Sequence, residues 1–243
     1  MATKTHTKTT IAAMGDIHIG ETSRGEFNEL FEEISTKADV LVLCGDLTQR
    51  GLMNEVEILS NELLACKIPV VAVLGNHDFE AGKQEEMTKY LQERRVTILD
   101  GSFYKINNLG IAGVKGFGGG FLNYELAAWG EEIIKKFVYE SVNEALKLEN
   151  ALKYLETDHK VAILHYAPIW ETVASEAKEI YPFLGSSRLL DPIQRFGVKY
   201  AFHGHAHEGP AEFKTEHGIT VYNVSYPLLK KLKPEQPYAL VTV

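Results

Sequence analysis

Several residues of this chain have the types and the spacing to hold divalent metal. Asp16 and His18 are separated by one residue, and so are His205 and His207. Asp46 follows a glycine, Asn76 and His77 are consecutive and lead into Asp78, and His165 stands alone after an apolar run. Carboxylates, neutral imidazoles and an amide, with no thiolate among them, suit borderline divalent ions such as Mn, Fe, Zn, Co or Ni. Two such ions about 3.5–4 Å apart clamp the attacking and leaving oxygens of a phosphoryl transfer, and a shared carboxylate can hold that spacing. Taken singly, each block has an ordinary reading. Gly45-Asp46 is a common turn, Asp16-x-His18 fits a helix cap beside a surface histidine, and His205-x-His207 alternates as on a strand.

These residues need elements that bring them together. Val70-Val71-Ala72-Val73-Leu74, bounded by Pro69 and Gly75, reads as a strand buried on both faces. Ile11–Met14 runs likewise into Gly15-Asp16, and Val40–Cys44 into Gly45-Asp46. Ligands of open α/β sheets lie beyond the carboxyl ends of the strands, so three polar clusters at three such ends converge. Between them Phe27, Leu30, Phe31 and Ile34 predict one amphipathic helix and Val56, Leu59 and Leu63 a second, with a polar helix across about 83–94. The order β-α-β-α-β-α implies a parallel sheet with right-handed crossovers.

From Val96 the texture changes to three short strands, at 96–99, 102–106 and 109–114, joined by hairpins at Asp100-Gly101 and Asn107-Asn108. A glycine cluster at 116–120 follows, read either as a mobile loop offering Phe117 or Phe121 to a substrate or as a plain turn. It fits neither a dinucleotide fingerprint nor a P-loop. A helical region reaches about Leu155, with Leu148, Ala151, Leu152 and Leu155 as its clearest stripe. Val161–Leu164 precedes His165, a helix lies near Arg188 to Phe196, and Val198–Phe202 leads into His203-Gly204-His205. Strands at about 211–215, 218–224 and 238–243 close the chain, and Lys230, Lys231 and Lys233 read as a solvated turn. One domain spans 1–243, with 1–9 as a flexible tail.

Together, Asp16-x-His18, Gly45-Asp46, Gly75-Asn76-His77-Asp78, His165 and Gly204-His205-x-His207 resemble the calcineurin-like metallophosphoesterase family, in particular its small bacterial-type phosphodiesterase-like members. The resemblance implies a four-layer α/β/β/α sandwich, two mixed sheets flanked by helices. It implies two divalent metal ions bridged by Asp46, one completed by Asp16, His18 and His207 and the other by Asn76, His165 and His205. The nucleophile it implies is a hydroxide bridging the ions. His77 resembles the family's non-ligand histidine, which contacts the substrate phosphate and protonates the leaving group. The expected substrate is a small-molecule phosphodiester, with a nuclease, a phosphomonoesterase or a non-catalytic scaffold as alternatives.

The protein phosphatases of that superfamily carry an Asp-Arg-Gly after the Gly-Asp block, whose Asp orients the catalytic histidine. Here Gln49 takes that place, and Asp78 stands where they have Glu. Both departures argue against a protein phosphatase. Arg50 is a candidate phosphate contact, with a surface ion pair as its ordinary reading. Tyr166 and Trp170, just after His165, are candidates for the substrate-facing wall. His203 matches no ligand position and reads as structural; His6, His159 and His217 read as surface residues.

Composition sets outer bounds. With 243 residues, 45% hydrophobic and 24% charged, the chain can build one sizeable core. A formal net charge of -8 argues against a broad nucleic-acid surface but leaves room for a small phosphate ester beside bound metal. Two cysteines, Cys44 and Cys66, are too few for a disulfide framework. The start is polar and short, and no run approaches the length of a transmembrane helix, so the expected location is the cytoplasm. Composition leaves the oligomeric state open.

Overall fold

A computed structural model describes residues 8–243, so His6 and most of the expected tail lie outside the described residues. Thr9 is not tail-like. It is buried, and its main chain exchanges hydrogen bonds with Val243 at 3.0 and 2.9 Å.

The first half alternates as the apolar spacing dictates. In order come β1 (Thr10–Met14), α1 (Asn28–Lys37), β2 (Val40–Cys44), α2 (Met53–Glu62), β3 (Val70–Val73), α3 (Gln84–Gln92) and β4 (Val96–Ile98). Then follow β5 (Ser102–Ile106), β6 (Leu109–Gly113), the long α4 (Glu132–Tyr154), β7 (His159–Ile163), α5 (Tyr181–Leu184) and α6 (Leu190–Arg195). The chain closes with β8 (Tyr200–His203), β9 (Glu212–Lys214), β10 (Thr220–Asn223), α7 (Tyr226–Leu232) and β11 (Ala239–Thr242).

The strands form two mixed sheets, ordered β11-β1-β2-β3-β4 and β5-β6-β7-β8-β10-β9. In the first, β1 to β4 run parallel and β11 closes the edge antiparallel to β1. In the second, β5 and β9 are the antiparallel edges. Because side chains alternate across a strand, each sheet feeds two apolar layers. Ala12, Met14, Leu41, Leu43 and Ala72 face α1, α2 and α3, together with Phe31, Leu59 and Met87. Ile11, Ala13, Val42, Val71 and Val73 face the other way, onto Ile111, Val161, Ile163 and Phe202 of the second sheet. The outer face of that sheet packs Ala112, Ala162 and Ala201 against Leu148 and Leu152 of α4 and Ile193 of α6. The order helix, sheet, sheet, helix is the expected four-layer sandwich.

Two local expectations are corrected. Asp100-Gly101 is not a hairpin but the crossing between sheets. Leu99 N donates to Ala72 O in the first sheet at 2.8 Å, while Gly101 N donates to Gly113 O in the second at 2.9 Å. Val96 and Ile98 bury under the helices of the first sheet, whereas β5 has a free antiparallel partner in β6, so the strands separate. Lys230 and Lys231 are helical, not a turn, and Lys233 ends the helix as its C-cap: Leu228 and Leu229 bury one face of α7, and Lys231 meets Glu208 at 3.2 Å. Among the described residues no helix is long and apolar enough to cross a membrane.

Candidate metal centre

The carboxyl ends of β1, β2 and β3 from one sheet, and β7 and β8 from the other, meet at a single place. Asp16, His18, Asp46, Asn76, His77, His165, His205 and His207 all lie there. Their positioning strains the backbone. Among the described residues seven non-glycine residues have positive φ, and four of them are Asp16 (53°), His18 (44°), Asp46 (47°) and His205 (68°). A left-handed non-glycine residue costs free energy that the surrounding structure must offset, and such residues cluster at functional sites. The glycines of the motifs serve close approach. A Cβ on Gly75 would collide with the main chain and carboxylate of Asp46, and one on Gly45 with the ring of His165.

Three trios of possible ligand atoms lie within 4.8 Å of one another: Asp16, His18 and His207; His18, Asp46 and His77; and Asp46, His165 and His205. Asp16 Oδ1 is 3.4 Å from His207 Nε2, and its carboxylate also accepts the His205 backbone N–H. Asp46 Oδ2 is 3.9 Å from His18 Nε2, and its Oδ1 is 3.5 Å from His165 Nε2.

The donor set fits a cation, and the hydrogen bonds behind it say why. His165 Nδ1 donates to the Cys44 carbonyl at 3.0 Å, and His205 Nε2 donates to the Phe183 carbonyl at 3.0 Å. These bonds fix the tautomers, so the inward nitrogens carry lone pairs. His165 Nε2 then faces His205 Nδ1 at 3.1 Å and Asn76 Oδ1 at 2.8 Å, three acceptors with no proton between them. Burial keeps the rings neutral, lowering His165 and His205 to about 3 and His18 to about 4. His18 Nδ1 is itself buried with no hydrogen-bond partner. Burial, with a smaller contribution from the like charge of Asp46, raises Asp16 to about 6 and Asp78 to about 7. Neutral imidazoles and carboxylates pressed together in this way lack a positive counter-charge, which a divalent ion supplies.

A family description, calcineurin-like phosphoesterase, matches residues 9–209. The chain belongs to the calcineurin-like phosphoesterase family. It is accordingly a metal-dependent phosphoester hydrolase. Solved structures of the same fold include the phosphopantetheinyl hydrolase PptH from Mycobacterium tuberculosis, at 17% identity and a TM-score of 0.69, covering 97% of this chain and 96% of that one. TT1561 of Thermus thermophilus aligns at 15% identity and a TM-score of 0.56, over 98% of this chain and 99% of that one. A putative 5′-nucleotidase from Staphylococcus aureus aligns at 14% identity and a TM-score of 0.57, over 89% of this chain and 48% of that one. No curated protein matches by sequence.

Within this calcineurin-like site several expectations change. His77 is oriented by the main-chain oxygen of Gln49, 2.8 Å from Nδ1, and not by the Gln49 amide. Asp78 is fully buried and turned away from any substrate. It accepts from Leu47 N at 3.1 Å, Thr48 N at 2.9 Å, Thr48 Oγ1 at 2.7 Å and Gly75 N at 2.8 Å. It therefore braces the Asp46 loop against the Asn76 loop, a role that position alone does not reveal. Arg50 is exposed, and among the described residues no hydrogen bond or ion pair holds its guanidinium. Tyr166 is buried beside the centre, its ring 4.4 Å from that of His205. His203 is buried, with Nε2 at 2.7 Å from Thr172 Oγ1 and Nδ1 at 2.8 Å from the Gly204 carbonyl.

The glycine-rich segment is tied down. Gly119 N donates to Pro182 O at 2.7 Å and Gly120 N to Gly185 O at 2.8 Å. Phe121 is buried against Tyr181, so it faces no substrate, while Phe117 packs on Tyr166. Lys115, just before the glycines, went unnoticed in the sequence because nothing in its neighbours marks it. Its carbonyl accepts from His165 N at 2.9 Å and Tyr166 N at 3.0 Å.

Proposed function

We propose that this chain hydrolyses small-molecule phosphodiesters at a centre of two divalent ions drawn from Mn, Fe, Zn, Co and Ni. The observation that carries this reading is the placement of Asp46, whose Oδ2 faces His18 at 3.9 Å and whose Oδ1 faces His165 at 3.5 Å. One carboxylate thus lies between two groups of ligands. In this reading Asp16, His18 and His207 hold one ion, Asn76, His165 and His205 the other, and Asp46 both. When bound, such ions neutralise the charge on the phosphoryl oxygens and lower the pKa of water.

The remaining groups act on the substrate. With Nδ1 of His77 donating to Gln49 O, its Nε2 is the atom left for the phosphate or the leaving oxygen. Proton delivery there contributes about 10²–10⁴-fold. Tyr166 supplies a wall of the pocket, and Arg50 an outer cation for the phosphate.

The reading as a small-molecule diesterase rests on two supports. A diester leaves as a poor alkoxide and gains from an acid such as His77. A neighbour of the same fold is named a phosphopantetheinyl hydrolase, in keeping with a small-molecule substrate. The test combines elemental analysis with kcat/KM for bis-p-nitrophenyl phosphate against p-nitrophenyl phosphate, beside an alkyl diester and its monoester. Two equivalents of metal and a higher value for both diesters are expected. A monoester preference in both pairs overturns the diester reading.

A further inference from the structure

Beside the centre, the seam between the two sheets opens into a cleft of about 570 Å³. Leu74 and Phe79, which flank the Gly75–Asp78 turn, form one wall, Gln84 and Thr88 of α3 the floor, and Lys115 the end nearest the histidines. A single ring separates this end from the centre. The Lys115 ammonium is 5.3 Å from the Tyr166 ring, and that ring is 4.4 Å from His205.

Lys115 is placed as a cation without an anion. Its ammonium donates to the Gly116 carbonyl at 2.8 Å and otherwise faces the rings of Phe117 at 4.9 Å and Phe79 at 5.4 Å. Cation–π contacts hold it there, but an ammonium has three donors and one is satisfied by protein. No carboxylate lies within ion-pair distance of it among the described residues. Glu144 is engaged elsewhere, accepting from Gly116 N at 2.7 Å and from Lys147 at 2.7 Å, and Lys147 also holds Asp100 at 2.9 Å. Glu85 and Glu140 also line the cleft without pairing with Lys115. Further along, Gln84 Oε1 is buried with no hydrogen-bond partner. Gln84 Oε1 is closed off from the cleft, so the unmet demand that a ligand there can answer is the half-buried ammonium of Lys115, with two donors free of protein partners.

We propose that this cleft holds the organic arm of the substrate and that Lys115 is a specificity residue binding a second anionic group on that arm, next to the scissile phosphate. The inference rests on the reading above that a phosphate ester sits at the metal centre. It narrows the substrate to diphosphate-containing diesters, in which the scissile phosphate reaches the centre and the next reaches Lys115.

Calorimetric titration of the metal-loaded protein with α,β-methylene-ADP and with AMP tests it without depending on turnover. The diphosphate analogue is expected to bind about tenfold tighter or more, as one additional charge-assisted contact provides. Lys115→Met should reduce that advantage to about threefold or less, and Lys115→Arg should keep most of it. A wild-type advantage below about threefold, which needs no variant, overturns the proposal, as does an advantage unchanged in a folded Lys115→Met protein. Turnover of bis-p-nitrophenyl phosphate is scored separately. Its absence with the diphosphate advantage intact defeats the diesterase reading alone, and its presence without that advantage defeats the Lys115 inference alone.

Discussion

The ring of His77 is aimed by the main-chain oxygen of Gln49, 2.8 Å from Nδ1. A carbonyl fixes the imidazole tautomer as a carboxylate would, but adds no full negative charge. The side chain at position 49 is therefore free of that duty. Gln49→Ala should keep kcat within about threefold of the parent, while His77→Ala should retain its metals and lose about 10²–10⁴ in kcat. A Gln49→Ala loss comparable to that of His77→Ala would return the orienting role to the side chain. Metal lost from His77→Ala would make His77 a ligand, a role its place beside His18 and Asp46 permits geometrically.

Asp46 should control both metal positions. Its two oxygens face different histidines, so Asp46→Ala is expected to lower occupancy at both sites when metal is counted by elemental analysis. Retention of two full equivalents refutes the shared-ligand assignment.

Asp78 should matter for stability as much as for rate. Asp78→Asn keeps the shape but turns an amide donor toward main-chain N–H groups of Leu47, Thr48 and Gly75. Leaving one or two buried donors unpaired costs about 2–3 kcal/mol, or about 5–10 °C in Tm for a chain of this size. Activity should fall with it, because the loops carrying Asp46 and Asn76 lose their common brace. A Tm within about 1 °C of the parent, measured by calorimetry, would remove the brace from the account.

The metal-free protein should be acid-labile. Burial holds His203 down to about 4, and lowers His18 to about 4 and His165 and His205 to about 3. A histidine whose folded pKa lies below its unfolded value stabilises the fold above about 6.5, and that contribution is lost as pH falls toward the folded pKa. Asp16 and Asp78, raised to about 6 and about 7, act in the opposite sense, losing their contribution as pH rises through those values. His207, raised by its contact with Asp16, acts with the carboxylates, and four lowered histidines against these three groups leave a net loss on acidification from pH 6.5 to 4. His203→Asn, at a residue that is not a proposed ligand, should lower stability at pH 7 yet flatten this slope. Melting curves from pH 7.5 to 4 in chelator decide it, and an unchanged slope in the variant would count against His203.

Most of the architecture was legible in the amino-acid order, and so were the residue types that gather beyond the strand ends. Uniform apolar runs such as Val40–Cys44, short and bounded by turn residues, read as strands buried on both faces, and each ends at a glycine followed by a polar ligand type, so convergence followed from topology. Local periodicity also placed α1, α2 and the Leu148–Leu155 stripe. What only the tertiary structure decided depends on contacts between distant segments. The split of β4 from β5 at Asp100-Gly101 is set by which sheet offers a free edge. The inward turn of Asp78, the carbonyls of Cys44, Gln49 and Phe183 that fix three histidine rings, and the unpaired Lys115 beside Tyr166 all involve main-chain atoms or side-chain directions. A sequence names residue types, but every residue carries the same carbonyl, so which one orients a histidine is invisible until the chain is folded.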